Sequence, residues 1–98
     1  MKFVRLLRTA SSERYILEDD NGTDLGLIDI HFLGDQKVVA TLFLMDPQAE
    51  AITDVQPILD EIDLELLPTA SVDESNLSFT VIRGSLVGTF SSDGAGSE

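Results

Sequence analysis

Apolar residues run through the segment Val38–Met45, where Thr41 is the only polar residue. Because successive strand side chains point to opposite faces of a sheet, this segment would be apolar on both faces. Its β-branched and aromatic residues and the turn residues nearby favour a strand over a buried helix. We therefore predict a central strand, covered on both sides, around which the rest of the chain is arranged.

Three further segments mix apolar and polar residues at strand-like spacing: Lys2–Thr9, Glu13–Asp20 and Thr23–Leu33. The dipeptide Asn21-Gly22 separates the last two, and it is a strong signal for a two-residue hairpin because both residues tolerate positive φ. Gly34-Asp35 precedes the central strand and fits a second two-residue turn with glycine first. The pattern therefore predicts a four-stranded antiparallel meander.

The two predicted turns set the strand register and thereby the two faces of the sheet. The first turn places Arg14 opposite Asp29, a pairing of opposite charges that cross-strand neighbours favour. With both turns applied, the register predicts a core face of Val4, Leu6, Tyr15, Leu17, Ile28, Ile30, Val39 and Phe43. It also predicts a second apolar group on the opposite face, made of Ile16, Leu25, Leu27, Leu42 and Leu44.

An amphipathic helix is predicted after the central strand, because apolar residues recur there at spacings of three and four. Pro57 conflicts with a helix interior, where it would remove a hydrogen bond and clash with the preceding turn. Either the helix kinks at Pro57 or it begins near Asp54, where a capping-box pattern would leave Pro57 in the first turn. We predict a helix over about Asp54–Glu65, with a separate turn or a kinked extension from Pro47. Its apolar stripe is Ile52, Val55, Leu59, Ile62 and Leu66.

Two strand-like segments close the chain, Asn76–Arg83 and Leu86–Ser92, and Gly84-Ser85 between them predicts a C-terminal β-hairpin. In that hairpin Phe79 would face Phe90. The whole pattern predicts a two-layer α+β domain over residues 1–92. Its parts would be a mainly antiparallel sheet, with the four-stranded meander and the hairpin, and one acidic helix on the core face. The small and polar residues 93–98 predict a disordered tail.

Charge is distributed unevenly along the chain. The first fourteen residues hold four cations and one acid, a net charge of +3, while the rest holds seventeen acids and two cations, a net charge of −15. Because phosphate binding needs clustered cations, the total of −12 argues against nucleic acid and anionic membranes as partners. A basic protein is the favoured electrostatic partner, although the same charge also serves solubility.

Cysteine is absent, which excludes a disulfide scaffold and thiol chemistry. The first residues interleave charged with apolar positions, unlike a signal peptide, and no apolar segment reaches transmembrane length. We therefore expect a cytoplasmic protein.

No group of residues points to catalysis. Asp29 and His31 have a spacing that can hold a metal, but a site needs three or four ligands and Arg14 is predicted to pair with Asp29. The oxygen-rich segment 19–24 lacks the spacing of a calcium loop. Exposed acids on a helix have no reason for a shifted pKa. We therefore predict that the protein is not an enzyme and requires no metal and no cofactor.

Our leading hypothesis is a small, acidic, non-catalytic protein-interaction module that forms a homodimer through its apolar sheet face. The predicted interface is Ile16, Leu25, Leu27, Leu42 and Leu44. A second hypothesis is an acidic inhibitor, such as an immunity protein or antitoxin, that neutralises a basic partner. Its predicted docking face is Asp60, Glu61, Asp63 and Glu65. A third hypothesis, a small-ligand or metal-binding domain, would use Asp29 and His31.

Overall fold

The computed structural model describes residues 1–67 and 76–92 of the chain. This part of the chain is an α+β domain with one open five-stranded sheet and one α-helix, which confirms the predicted class and the mainly antiparallel sheet. A 3-10 turn, Gly34–Gln36, precedes the fourth strand. The elements are β1 (Lys2–Arg8), β2 (Ser12–Glu18), β3 (Asp24–Phe32), β4 (Val38–Met45), α1 (Gln56–Leu66) and β5 (Leu77–Gly84).

The strands lie in the order β1-β2-β3-β4-β5, with antiparallel pairing from β1 to β4 and parallel pairing between β4 and β5. One face of the sheet packs against α1, whose Ile58 and Ile62 are fully buried in the same cluster as the sheet residues. The buried side chains that the sheet adds to this core are Tyr15, Leu17, Leu25, Ile28, Ile30, Val38, Ala40, Leu42, Leu44 and Leu77.

From Ser12 to Leu17 the register between β2 and β3 is the predicted one. The loop has three residues instead of the predicted two, because the Asp19 N–H donates to the Thr23 carbonyl at 3.0 Å and Glu18 pairs with Asp24. Arg14 pairs with Asp29, and Ile16 pairs with Leu27. The hairpin tip is stabilised by Asp19, whose Oδ1 accepts hydrogen bonds from the backbone N–H groups of Asn21 and Thr23. Such side-chain hydrogen bonds to the backbone are typical of Asp before a turn, and they give Asp19 a structural role at the hairpin tip that needs no bound ion.

The register between β3 and β4 differs from the prediction by one residue. The connection has three residues, Gly34–Gln36, and the Leu33 N–H donates to the Lys37 carbonyl at 2.7 Å. That hydrogen bond makes the loop one residue longer than the predicted turn, and Asp35 and Gln36 within it adopt positive φ angles of 64° and 62°. A slip of one residue moves every side chain of a strand to the other face.

This slip overturns the predicted faces of β4. Leu42 and Leu44, predicted for the exposed face, pair with Ile28 and Gly26 and are buried beneath α1. Leu25 is also buried. On β2, Leu17 pairs with Gly26 and the next residue, Glu18, pairs with Asp24, so Leu25 has no partner across the sheet and is the extra residue of a bulge. Four residues predicted for the core face are not in the buried core: Val4, Leu6, Val39 and Phe43.

The helix begins at Gln56, so Pro57 lies in its first turn, where the missing N–H costs no intrahelical bond. This is the second of the two alternatives that the sequence left open. Asp54 stabilises the start, since its Oδ1 accepts a hydrogen bond from the Gln56 N–H at 3.1 Å.

The predicted C-terminal hairpin is wrong for the described residues. β5 forms as expected, but residues 85–92 have no strand structure. The strand that pairs with β5 is β4. The segment β4–α1–β5 is a strand–helix–strand unit, and a helical crossover is the usual connection between parallel strands. The predicted tail, residues 93–98, lies outside the described residues.

Candidate interaction surface

The sheet face opposite α1, called here the open face, carries at least one apolar residue from every strand, and five of these residues form a row. The pairing aligns these residues side by side, since Val4 pairs with Ile16, Ile16 with Leu27, Leu27 with Phe43 and Phe43 with Ile82. We call these five residues the apolar row. The first four side chains are half-buried and Ile82 is 46% exposed, so the row remains accessible across the full width of the sheet.

A row of polar residues lies directly beside the apolar row. It consists of Arg14, Asp29, Thr41 and Thr80, which are aligned on β2 to β5. Arg14 and Asp29 form a bidentate ion pair, with Nε and Nη2 donating to the two carboxylate oxygens at 2.6 and 2.9 Å. These hydrogen bonds raise the pKa of Arg14 above its ordinary value. The pair is therefore neutral as a unit, and it orients both side chains across the sheet.

A groove of about 320 Å³ lies at one end of the apolar row. Its apolar walls come from Leu27, Phe43, Met45, Ile82 and Leu86, and Arg14 and Asp29 contribute its polar part. Because Asp29 already neutralises Arg14, the groove has no free cation to attract an anionic small molecule. An apolar side chain from another protein fits this lining better than a charged ligand does.

The open face carries little of the net charge of the chain. Alternation and pairing place the cations Lys2 and Arg14 and the acids Glu18, Asp24 and Asp29 on it, which leaves a net charge of −1 out of the total of −12. The other acids of the described residues lie elsewhere on the molecule. The open face is thus the region where a second acidic molecule meets the least repulsion.

The structure brings together only part of the predicted interface. Ile16 and Leu27 lie in the apolar row, while the other three predicted residues belong to the core. The register error concealed Phe43. Val4 and Ile82 complete the row, and their faces follow from the pairing of β1 with β2 and of β5 with β4. A three-residue loop applied to the same sequence pattern would have identified Phe43, because it places Phe43 directly opposite Leu27.

The four predicted docking acids do not form one uniform patch. Asp60 and Glu65 are exposed on α1, whereas Glu61 and Asp63 are half-buried. Asp60 accepts a hydrogen bond from the Gln56 side chain at 2.8 Å. Asp20 raises the pKa of the Met1 amino group, and Glu61 and Glu65 add to that effect, so these two acids lie toward the basic strand β1.

Asp29 and His31, the candidate metal pair, do not act together as ligands in the structure. Both oxygens of Asp29 accept hydrogen bonds from Arg14, and His31 is exposed on the next alternate position of β3. Within residues 1–67 and 76–92, no three His, Asp or Glu side chains converge as metal ligands would. The same ranges contain no helix that is long and apolar enough to cross a membrane.

Comparisons with known proteins add no family. No protein-family model matches the chain, and neither curated sequences nor solved structures give a match. The open face and its groove are therefore the features of the described residues that bear on function.

Proposed function

We propose that this protein is a non-catalytic interaction module that forms a homodimer through the open face of its sheet. The observation that carries the proposal is the apolar row, which crosses all five strands without a polar interruption. Helix α1 covers the other face only, and soluble monomers rarely expose contiguous apolar patches of this extent.

The size of the open face supports a protein partner. Five strands about 4.8 Å apart and about seven residues long give a flat footprint of roughly 550 Å². Side chains and the groove add relief, which brings the accessible area toward the about 800 Å² that each partner buries in a typical stable interface. A small ligand would cover only the groove and leave most of the apolar row in water.

Charge favours a second copy as that partner. The face is near neutral, so two copies can approach there although each carries −12 in total. A two-fold interface is self-complementary, and the apolar row of one copy then packs on that of the other. The absence of cysteine is compatible with a reducing compartment, and we include a cytoplasmic location in the proposal.

The test is Leu27→Glu, because Leu27 lies in the middle of the apolar row on the central strand β3. Leu64→Glu is the matched control, since Leu64 is 77% exposed on α1 and the substitution makes the same change in charge. A two-fold interface would contain the new carboxylate twice. We therefore expect Leu27→Glu to raise the dimer Kd by at least about 100-fold, and Leu64→Glu to leave it within a few-fold.

Sedimentation equilibrium measures both variants and the wild type over a wide concentration range. A wild-type mass of one chain up to high micromolar concentration would refute the proposal. Equal dissociation constants for the two variants would also refute it, because the contact would then lie outside the open face.

The exposed acids of α1 favour a second candidate function, an acidic inhibitor of a basic protein. Asp60 and Glu65 are exposed on the side of the molecule that the open-face contact leaves free. The two functions differ in salt dependence, because an apolar contact persists at high salt while acidic docking loses association rate.

A further inference from the structure

The two edges of the sheet differ in their protection against pairing with another strand. β1 carries Lys2, Arg5 and Arg8, and such charges discourage pairing at an edge. β5, at the other edge, has Arg83 as its only charged residue. That guanidinium donates to the Ile52 carbonyl and lies 3.7 Å from Asp46, so it is held toward the loop before α1. No strand of the described residues pairs with the outer edge of β5.

The segment that follows β5, residues 85–92, is uncharged in a chain with a net charge of −12. Its Leu86, Val87 and Phe90 side chains are 62%, 94% and 86% exposed. Leu86 lines the groove together with Ile82, so the start of the segment lies beside the open face. Apolar, strand-forming residues thus remain exposed beside an unprotected edge, which is a combination that templates pairing between chains.

A second copy can supply the strand that the edge of β5 lacks. The chain does not fold this segment back onto its own β5. If the segment instead extends β5, two copies can lie antiparallel about a two-fold axis at Gly84. Ile82 then faces Leu86 of the other copy, and Val81 faces Val87, so that apolar residues meet on both faces of the sheet.

We infer that residues 85–90 of one copy pair antiparallel with the outer edge of β5 of a second copy, and reciprocally. The contact is isologous, because each copy presents the same two elements to the other. The two-fold axis is perpendicular to the sheet and leaves both α1 helices on one side. Both open faces lie on the other side, so this edge contact is separate from the open-face contact and does not depend on it.

Disulfide trapping tests this edge pairing. The chain has no cysteine of its own, so every disulfide that forms must join introduced cysteines. The single variants Val81→Cys and Val87→Cys are mixed, with one of them isotopically labelled, and then oxidised. The inference predicts a mixed disulfide between the two chains, several-fold above the yield obtained when Leu64→Cys replaces Val81→Cys. Leu64 is exposed on α1 and reports random collision. Intact mass spectrometry distinguishes the mixed dimer from the two like dimers.

The alternatives give different products, and each would overturn the inference. Pairing of β5 with β5 would give mainly the Val81→Cys dimer with itself. An intrachain hairpin would give a monomeric disulfide in the double variant Thr80→Cys with Thr89→Cys, and no mixed dimer. A yield equal to the Leu64→Cys control would show collision only.

The same mixture is then prepared in the Leu27→Glu background. Persistence of the mixed disulfide there supports an edge contact that is independent of the open face. Its loss in that background would contradict the separation of the two contacts. The two proposals can also fail separately. If Leu27→Glu and Leu64→Glu have equal dimer Kd values but the mixed disulfide still forms, the open-face dimer is refuted and the edge contact is supported.

Discussion

Replacing Leu42 by alanine tests the face assignment of β4 directly. Leu42 is 0% exposed, and its neighbours across the sheet are Ile28, which is also 0% exposed, and Val81. Because the site is closed, truncation leaves a cavity that water does not fill. Comparable changes in buried cores cost about 3–5 kcal/mol. A chain of this size has a total stability of roughly 5–15 kcal/mol, so the expected loss is a large part of it.

Urea unfolding followed by circular dichroism measures this loss. With a denaturant slope of about 1–3 kcal/mol per M, the midpoint should fall by roughly 1–5 M. The protein is kept at a low concentration at which the midpoint no longer depends on concentration, because association would otherwise add to the apparent stability.

Phe43→Ala is the control on the neighbouring residue. Phe43 is half-buried on the open face, so we expect a smaller loss of stability in the monomer than for Leu42→Ala, although Phe43 is the larger side chain. The two-residue turn predicted from the sequence reverses this order, because it places Phe43 in the core and Leu42 on the surface. A larger loss for Phe43→Ala than for Leu42→Ala would therefore refute the register described here.

Three further predictions concern separate parts of the molecule. Gly26→Ala should destabilise the fold by at least about 1–3 kcal/mol in urea unfolding, because an added Cβ would lie 2.0 Å from the Phe43 carbonyl oxygen; an unchanged midpoint would contradict the close approach of β3 and β4. His31→Ala should leave the dimer Kd within a few-fold in sedimentation equilibrium, and a stoichiometric zinc that only the wild type binds would show this reasoning wrong. The last variant removes four helix acids: Asp60→Asn, Glu61→Gln, Asp63→Asn and Glu65→Gln. Its stability should be equal to the wild type or slightly higher, and its association with any basic partner should be slower and less dependent on salt in stopped-flow measurements. Association at the wild-type rate at every salt concentration would exclude acidic docking.

The features that the sequence determined by itself depend on neighbouring residues in the chain. The pairing of Arg14 with Asp29 was predicted from the Asn21-Gly22 turn and from their opposite charges, which favour that alignment. The loop has one residue more than predicted, and the bulge at Leu25 restores the predicted alignment. Pro57 and Asp54 likewise limited the start of α1 to two alternatives, a kink at Pro57 or a start near Asp54, and the structure has the second.

The faces of β4 were decided only by the tertiary structure. Val38–Met45 is apolar on both faces, so the strand pattern allows either set of side chains to face the core. The sequence near Gly34 is compatible with a loop of two residues or of three. Packing resolved this choice, because the three-residue loop lets Leu42 and Leu44 fill the core beneath α1.

The pairing of β5 with β4 also depends on the tertiary structure. The local pattern offered a hairpin partner for one edge of β5, and no signal between residues 76 and 92 indicates which strand pairs with its other edge. The crossover through α1 brings β5 to the open edge of β4, where eight residues pair in parallel. Residues 85–92 do not pair with the outer edge of β5, and Leu86, Val87 and Phe90 therefore remain exposed.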